Sequence, residues 1–248
     1  MKSKLLKLTA SGTLMIAFVL QSCIKDSSTR LTTQENFSNN SLIRVFVATV
    51  NSSRNYVYVD ANPVTGALLS SGGMFPAAGI YASNIPAGVR AFLVRDTSST
   101  TTQVPLSFAE NMQVNKNYTI FLYDTITSPK QKTVETKYVV STDPTDTSCS
   151  IRFANFIYNP NIVPAIDIFS FNKNTNIFTN VAVTDVTDFI KYPTTRLLVD
   201  TLYIRETGSS TNIIKVVTGG VFQQKRNYTL VYRGSHRGTR VATLYTDR

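Results

Sequence analysis

Short apolar runs separated by turn residues, with no segment that sustains a helical period, predict an all-β chain. Sequence echoes recurring in order at a spacing of ~110 residues predict that one unit is built twice. About seven short strands per ~100 residues is the pattern of an immunoglobulin-like sandwich. The fold class read from the sequence is therefore two tandem immunoglobulin-like β-sandwich domains, preceded by a signal segment.

The echoes run in order. Ile43-Arg44-Val45 returns as Ile151-Arg152-Phe153, and Val94-Arg95-Asp96-Thr97-Ser98-Ser99 as Ile204-Arg205-Glu206-Thr207-Gly208-Ser209-Ser210. Asn117-Tyr118-Thr119-Ile120 returns as Asn227-Tyr228-Thr229-Leu230, and Thr142-Asp143 as Thr246-Asp247. This pairing gives the first copy the longer loop in the last hairpin. A repeat of this size is a whole domain rather than a solenoid unit.

In the first unit, strands are expected at Leu42–Val50, Tyr56–Asp60, Ile80–Ser83, Val89–Arg95, Gln103–Phe108, Tyr118–Tyr123 and Lys137–Ser141. In the second they are expected at Ser150–Tyr158, Ala165–Phe171, Ile177–Val183, Leu197–Val199, Leu202–Arg205, Asn212–Val217, Tyr228–Arg233 and Thr239–Tyr245. Ile43, Val45 and Val47 alternate onto a core face, which puts Arg44 on a face expected to be wet. The polar, turn-rich Thr142–Thr147 marks the boundary. The domains are read as residues 42–143 and 149–248, joined by a linker at 144–148.

Turn chemistry accounts for several repeated residues. Asp96 and Glu206 end strands at Ser/Thr-rich loops. Asp96 is expected to accept from its own following backbone, and Glu206 to face water. Pro86-Ala87-Gly88 reads as a turn, with Pro193 at the matching place. Asn117 and Asn227 open strands. Both lie in Asn-Tyr-Thr glycosylation patterns, but the turn role explains them without a glycan.

The first residues carry a different message. Lys2, Lys4 and Lys7 precede an apolar run from Leu8 to Leu20, diluted by Thr9, Ser11, Gly12 and Thr13. That run is shorter than the ~20 residues of a membrane-spanning helix. It ends in Leu20-Gln21-Ser22-Cys23 and resembles a bacterial lipoprotein signal peptide. The resemblance implies that residues 1–22 are removed and that Cys23 is the lipidation site. Each buried CH₂ adds ~0.8 kcal/mol, so two or three acyl chains on Cys23 hold a protein to a membrane where one does not. Residues 23–41 are polar and read as the lipidated N-terminus and a flexible tether, with a reach of ~23 Å. Ile24-Lys25-Asp26 partly matches a surface-export signal. The expected location is the outer membrane, on the cell surface rather than facing the periplasm.

Composition narrows the function classes. With 42% hydrophobic and 16% charged residues, the 248-residue chain is globular in type. Two cysteines make no disulfide framework, and with Cys23 lipidated, Cys149 stands alone as a small buried hydrophobe. The formal net charge is +10, and removal of Lys2, Lys4 and Lys7 leaves +7. Such a charge favours acidic surfaces and polyanionic glycans. The basic residues are scattered and the chain is exported, so nucleic acid is not an expected partner.

An opening Ile-Arg-Val/Phe strand is followed by Tyr56-Val57-Tyr58-Val59-Asp60 or Ala165-Ile166-Asp167-Ile168-Phe169, a Pro-containing turn and a closing Asn-Tyr-Thr strand. Together these resemble a bacterial domain of unknown function that occurs as tandem β-sandwich modules in exported lipoproteins. The resemblance covers Leu42 to Arg248. It implies a turn after the opening strand, which Asn159-Pro160 matches better than Val50-Asn51-Ser52-Ser53. It implies no activity, cofactor or catalytic residue.

No catalytic motif stands out. The one histidine, His236, sits in Arg233-Gly234-Ser235-His236-Arg237-Gly238 and reads as an exposed hairpin-tip residue rather than a general base. There is no His-Glu-x-x-His and no Gly-x-Ser-x-Gly. Asp185 with Asp188, and Asp143 with Asp146, are too sparse for a calcium loop and read as turns. A paired-carboxylate glycosidase is the last-ranked reading, because no pair is singled out. Tyr56, Tyr58, Tyr81 and Tyr158 are candidate exposed rings for sugar stacking. Asp124-Thr125-Ile126 and Asp200-Thr201-Leu202 resemble an O-glycosylation triplet, with Thr125 the better candidate. The expected function is a non-enzymatic, membrane-anchored envelope lipoprotein that serves as an adhesion, binding or scaffold module. The alternative is a glycan-binding accessory protein of polysaccharide uptake. Its partners would be the membrane, surface glycans or other envelope proteins; no metal or cofactor is expected.

Overall fold

In the computed structural model, which describes residues 37–79, 82–194, 199–218 and 222–248, the chain is all-β and forms two sandwiches. The first pairs two sheets. One contains β1 (Asn40–Val47), β4 (Met74–Phe75), β8 (Asn117–Thr125) and β9 (Ser128–Glu135) in the order β4-β1-β8-β9, with β5 (Ser83–Pro86) also on β1. The other contains β2 (Tyr56–Val59), β3 (Asn62–Pro63), β6 (Gly88–Arg95) and β7 (Leu106–Met112) in the order β3-β2-β6-β7.

The second sandwich repeats the plan. One sheet has β10 (Cys149–Tyr158), β13 (Ile190–Tyr192), β16 (Asn227–Ser235) and β17 (Arg240–Thr246) in the order β13-β10-β16-β17. The other has β11 (Ile166–Ser170), β12 (Thr175–Val181), β14 (Thr201–Glu206) and β15 (Ile214–Val217) in the order β12-β11-β14-β15. In each copy the opening strand runs parallel to the Asn-Tyr-Thr strand: β1 with β8 and β10 with β16.

Period-2 alternation explains the layering. Ile43, Val45, Val47, Ile120 and Leu122 pack on Val57, Val59, Phe92 and Val94 to fill the first sandwich. Ile151, Phe153, Tyr228 and Leu230 pack on Ile166, Ile168, Leu202 and Ile204 to fill the second. The opposite faces of β1, β8, β10 and β16 meet each other. Phe46, Ala48 and Phe121 pack against Ala154, Phe156, Val231 and Tyr245 in a third core. Phe121 stacks on Phe156 with ring centroids 4.6 Å apart, and Phe46 on Tyr245 at 5.5 Å. The two inner sheets are thus covered on both sides, and Ser38–Arg248 forms one compact unit.

The back-to-back contact corrects the expectation of a wet face. Arg44 is 1% exposed and Arg152 2%, because the far face of each inner sheet is the contact between sandwiches. Strands buried on both faces lose the hydrophobic–polar alternation. That loss is present in β10, where Ser150 to Ile157 are all buried.

The last hairpin of the first copy is also corrected. The strand paired with β8 is Ser128–Glu135, reached by a two-residue loop, with Thr125 opposite Ser128. Its sequence carries Lys130, Gln131 and Lys132 as well as Pro129, a composition that suits an edge strand and gives little apolar signal. The first copy therefore has the shorter loop. Thr136, not Asp143, takes the place of Asp247: the Thr136 amide donates to the Asn117 carbonyl (2.7 Å) as the Asp247 amide donates to that of Asn227 (2.8 Å). The stretch Lys137–Ser141 is not a strand. It docks on the second sandwich, where Asn227 donates to the Val139 carbonyl (3.1 Å) and accepts from its amide (3.0 Å).

The other boundaries differ by smaller steps. Gln103–Phe108 shifts to Leu106–Met112 and Ile80–Ser83 to Ser83–Pro86; residues 80–81 and 195–198 lie outside the described residues.

Candidate functional site

The same alternation that builds the third core sets what lies at its two ends. Along β1, β8, β10 and β16 the residues facing the seam are Arg44, Thr119, Arg152 and Thr229 at the start. At the finish they are Tyr123, Thr125, Tyr158, Arg233 and Ser235. All four strands run the same way in their parallel pairs, so their first residues gather at one end and their last at the other.

The starting end is closed. Asp247, fully buried, accepts from Arg44 at 3.1 Å, with Arg152 at 3.5 Å and Thr229 also donating to it. Arg44 further donates to the Asp247 carbonyl at 2.9 Å. Arg152 donates to Thr229 (2.8 Å) in its own sandwich and to Thr119 (3.0 Å) and Thr136 (3.4 Å) in the other. Its guanidinium lies over the Phe189 ring at 4.8 Å. Burial pushes the Asp247 carboxyl up, against the pull of Arg152, Thr229 and Arg44. Two guanidiniums share this one carboxylate, with hydroxyl and carbonyl oxygens taking further donors, and such pairing is what makes burying them tolerable.

The finishing end is open. Two hollows flank Tyr158. The smaller, about 360 Å³, is walled by Tyr123, Phe156, Tyr158 and Ile162, with the Asp124–Lys130 ion pair (2.7 Å) and Asn159 at its rim. Ile162 is 97% exposed, and the Asn159 Oδ1 is buried without a hydrogen-bond partner among the described residues. The larger, about 550 Å³, lies between Asn51, Ser71 and Thr125 of the first sandwich and Tyr158, Arg233 and Ser235 of the second. Arg233 crosses it, donating from Nη1 to Ser71 Oγ (3.1 Å) and from Nε to Thr243 Oγ1 (3.0 Å).

Gly72 makes room for that guanidinium. Its φ is +88°, and a Cβ there would stand 2.2 Å from Nη2 of Arg233. Burial holds the Arg233 guanidinium below its usual range, and no carboxylate pairs with it among the described residues.

The residues singled out from sequence scatter. Cys23 lies outside the described residues, as does Tyr81. Thr125 ends β8 and lines the larger hollow, its Oγ1 3.2 Å from that of Thr127. In the other triplet, Asp200 is 1% exposed. Burial opposes its ionisation, but Ser170, Tyr192 and the amides of Asn172 and Thr201 outweigh burial and hold it below the ordinary carboxylate range. Tyr158 reaches the seam, whereas Tyr56 and Tyr58 lie on the outer sheet, where Arg95 covers the Tyr58 ring at 5.1 Å.

Cys149 opens β10 at 1% exposure, and burial pushes its thiol up to about 12. His236 is on the hairpin tip but is not an exposed residue. Its side chain is 13% exposed, with Nε2 3.5 Å from Glu206, because the hairpin folds over the second sandwich. Asp96 accepts from the Ser98 amide at 2.8 Å, as its turn role requires. Asp143 and Asp146 cap Thr145 and Ser148, and Asp185 pairs with Lys132 at 3.6 Å. Among the described residues no three His, Cys, Asp or Glu side chains gather as a metal site.

Sequence reading missed Arg233, Tyr123, Ser71 and Gly72 as site residues. One signal was available: the turn after each opening strand, Asn51 in one copy and Asn159 in the other, falls beside these hollows.

No family model matches the chain, and no curated protein matches it. Among solved structures, CBMbc (family CBM26) from Eubacterium rectale Amy13K, in complex with maltoheptaose, aligns over 83% of this chain and 96% of its own at 11% identity and a TM-score of 0.26. A likeness at that level carries no functional inference.

Proposed function

We propose that this chain is a cell-envelope lipoprotein, held to the outer membrane through Cys23 and displayed on the cell surface. Its folded part serves as a non-catalytic binding or scaffold module. The observation that carries the reading is the pairing of Leu20-Gln21-Ser22-Cys23 with a single compact body beyond residue 37. A flexible tether attached to such a body displays both sandwiches together as one unit. The buried third core joins the two sandwiches, since interfaces that large rings fill resemble domain interiors.

The test is protease treatment of intact cells expressing the wild type or Cys23→Ala. Shaving of the wild type from living cells, with loss of the variant from the membrane fraction, is the expected result. Protection of the wild type until the outer membrane is broken would move the protein to the periplasm. Retention of the variant in the membrane would end the lipid-anchor reading.

A second reading, a glycan-binding accessory protein, is favoured by one observation: Tyr123 and Tyr158 wall the smaller hollow beside the Asp124–Lys130 pair. Aromatic faces and paired polar groups are the chemistry of sugar recognition. No binding across a broad panel of neutral and acidic polysaccharides would end it.

A further inference from the structure

A half-buried guanidinium ordinarily sits against a carboxylate, because a desolvated charge without a counter-charge is costly. Arg44 and Arg152 obey this rule at the closed end of the seam. Arg233 does not. Its two protein partners are the hydroxyls of Thr243 and Ser71, and Nη2 has no hydrogen-bond partner among the described residues. The nearest acid in the neighbouring hollow, Asp124, is already paired with Lys130. The hairpin that carries Arg233 adds Arg237 and Arg240 and no acid. Arg240 Nε is itself engaged by the His236 carbonyl at 2.6 Å.

The hollow in front of Arg233 is about 550 Å³, and Ser71, Thr125 and Ser235 on its wall bring hydroxyl groups. A glycine at position 72 keeps the space behind the guanidinium clear. The geometry points to an oxyanion site between the two sandwiches: Arg233, with the hydroxyls around it, binds the carboxylate or phosphate group of a small ligand or of a saccharide. A guanidinium offers a planar fork that matches either group with two parallel hydrogen bonds. Tyr158, on the same wall, gives an apolar face for a sugar ring that carries the acid. This site does not depend on the anchor or on the envelope location.

The experiment is calorimetric titration of the full chain with sodium glucuronate, glucose and inorganic phosphate at low ionic strength. Glucuronate or phosphate is expected to bind and glucose is not. Binding of glucuronate alone assigns a sugar acid, and binding of phosphate alone assigns a phosphoryl group. Arg233→Gln is expected to weaken the anion at least tenfold, the cost of losing a charge-assisted hydrogen bond. Arg205→Gln, on the outer sheet, is expected to change nothing.

Should Arg233→Gln fail to fold, Ser71→Asp keeps the guanidinium and supplies the missing carboxylate from the protein itself. That variant is expected to melt higher and to lose the anion. Absence of binding by both anions, or binding that survives Arg233→Gln and Ser71→Asp, overturns the proposal and leaves only general attraction to a basic surface.

Discussion

The two ends of the seam are made by the same strands, on the same face, yet they solve the same problem differently. At the closed end two guanidiniums converge on Asp247 beneath a roof of threonines. At the open end one guanidinium meets hydroxyls and a hollow. The first arrangement pairs each guanidinium with a carboxylate of the protein itself, so it is a structural device. The second is incomplete, which is the mark of a surface that takes something. The contrast separates charges that hold the sandwiches together from charges that are free to bind.

The closed end should be the more fragile to substitution. Asp247→Asn removes the charge that two buried arginines share and should destabilise the chain by about 3–5 kcal/mol, as breaking a buried ion pair does. Denaturant unfolding measures this directly. Arg152 also reaches Thr119 and Thr136 across the seam, so both sandwiches should unfold in one transition. A separate early transition of either sandwich, or a loss below about 1 kcal/mol, would show that the cluster does not join them.

Phe121→Ala tests the middle of the seam. The ring is fully buried against Phe46 and Phe156, and its loss should cost about 3–4 kcal/mol through transfer and cavity terms. A value near 1 kcal/mol would mean that the sandwiches slide to close the gap, contrary to a dry and interlocked contact.

Alkaline pH should act on the buried cores, the seam included. Burial raises the Cys149 thiol to about 12, from an ordinary value near 9, and burial also raises Tyr192, Tyr228, Tyr232 and Tyr245. The unfolded chain releases these protons first. It then binds fewer protons than the folded chain, and stability falls as pH rises, from about 9 toward 12 for Cys149 and from about 10 upward for the tyrosines. Melting temperature followed across that range should decline steadily. At neutral pH Cys149 should resist thiol reagents until the protein is unfolded, and rapid native labelling would contradict its burial.

Much of this was legible in the sequence, and the parts that were not share one cause. Strand periodicity located β1, β2, β6, β8, β10 and β16 because their core-facing residues alternate with polar ones or form apolar runs. The echo of Ile43-Arg44-Val45 in Ile151-Arg152-Phe153 marked the two arginines, but alternation alone cannot say whether the second face meets water or a second sheet. The run Phe153-Ala154-Asn155-Phe156-Ile157 held the stronger hint of burial on both faces. Edge strand β9, made of Lys, Gln, Thr and Pro, left almost no apolar trace, and its misplacement hid the match between Thr136 and Asp247. Arg233 looked like one more hairpin residue, because its significance depends on Ser71, which lies 162 positions away.

The smallest effect is expected at the open end, and it sharpens the comparison most. Arg233→Met keeps the apolar stem and removes a charge that the protein does not neutralise. With only hydroxyl partners lost, the cost should lie within about 0.5 kcal/mol of zero, and relief of desolvation makes slight stabilisation the expected sign. The same chemical change at Arg44 should cost several-fold more, because it strips a counter-charge from Asp247. Equal losses at Arg44 and Arg233, in parallel melts, would mean that both arginines serve the fold and that the open end is a packing defect. A large loss at Arg44 beside none at Arg233 would mean that position 233 carries an arginine for something other than stability.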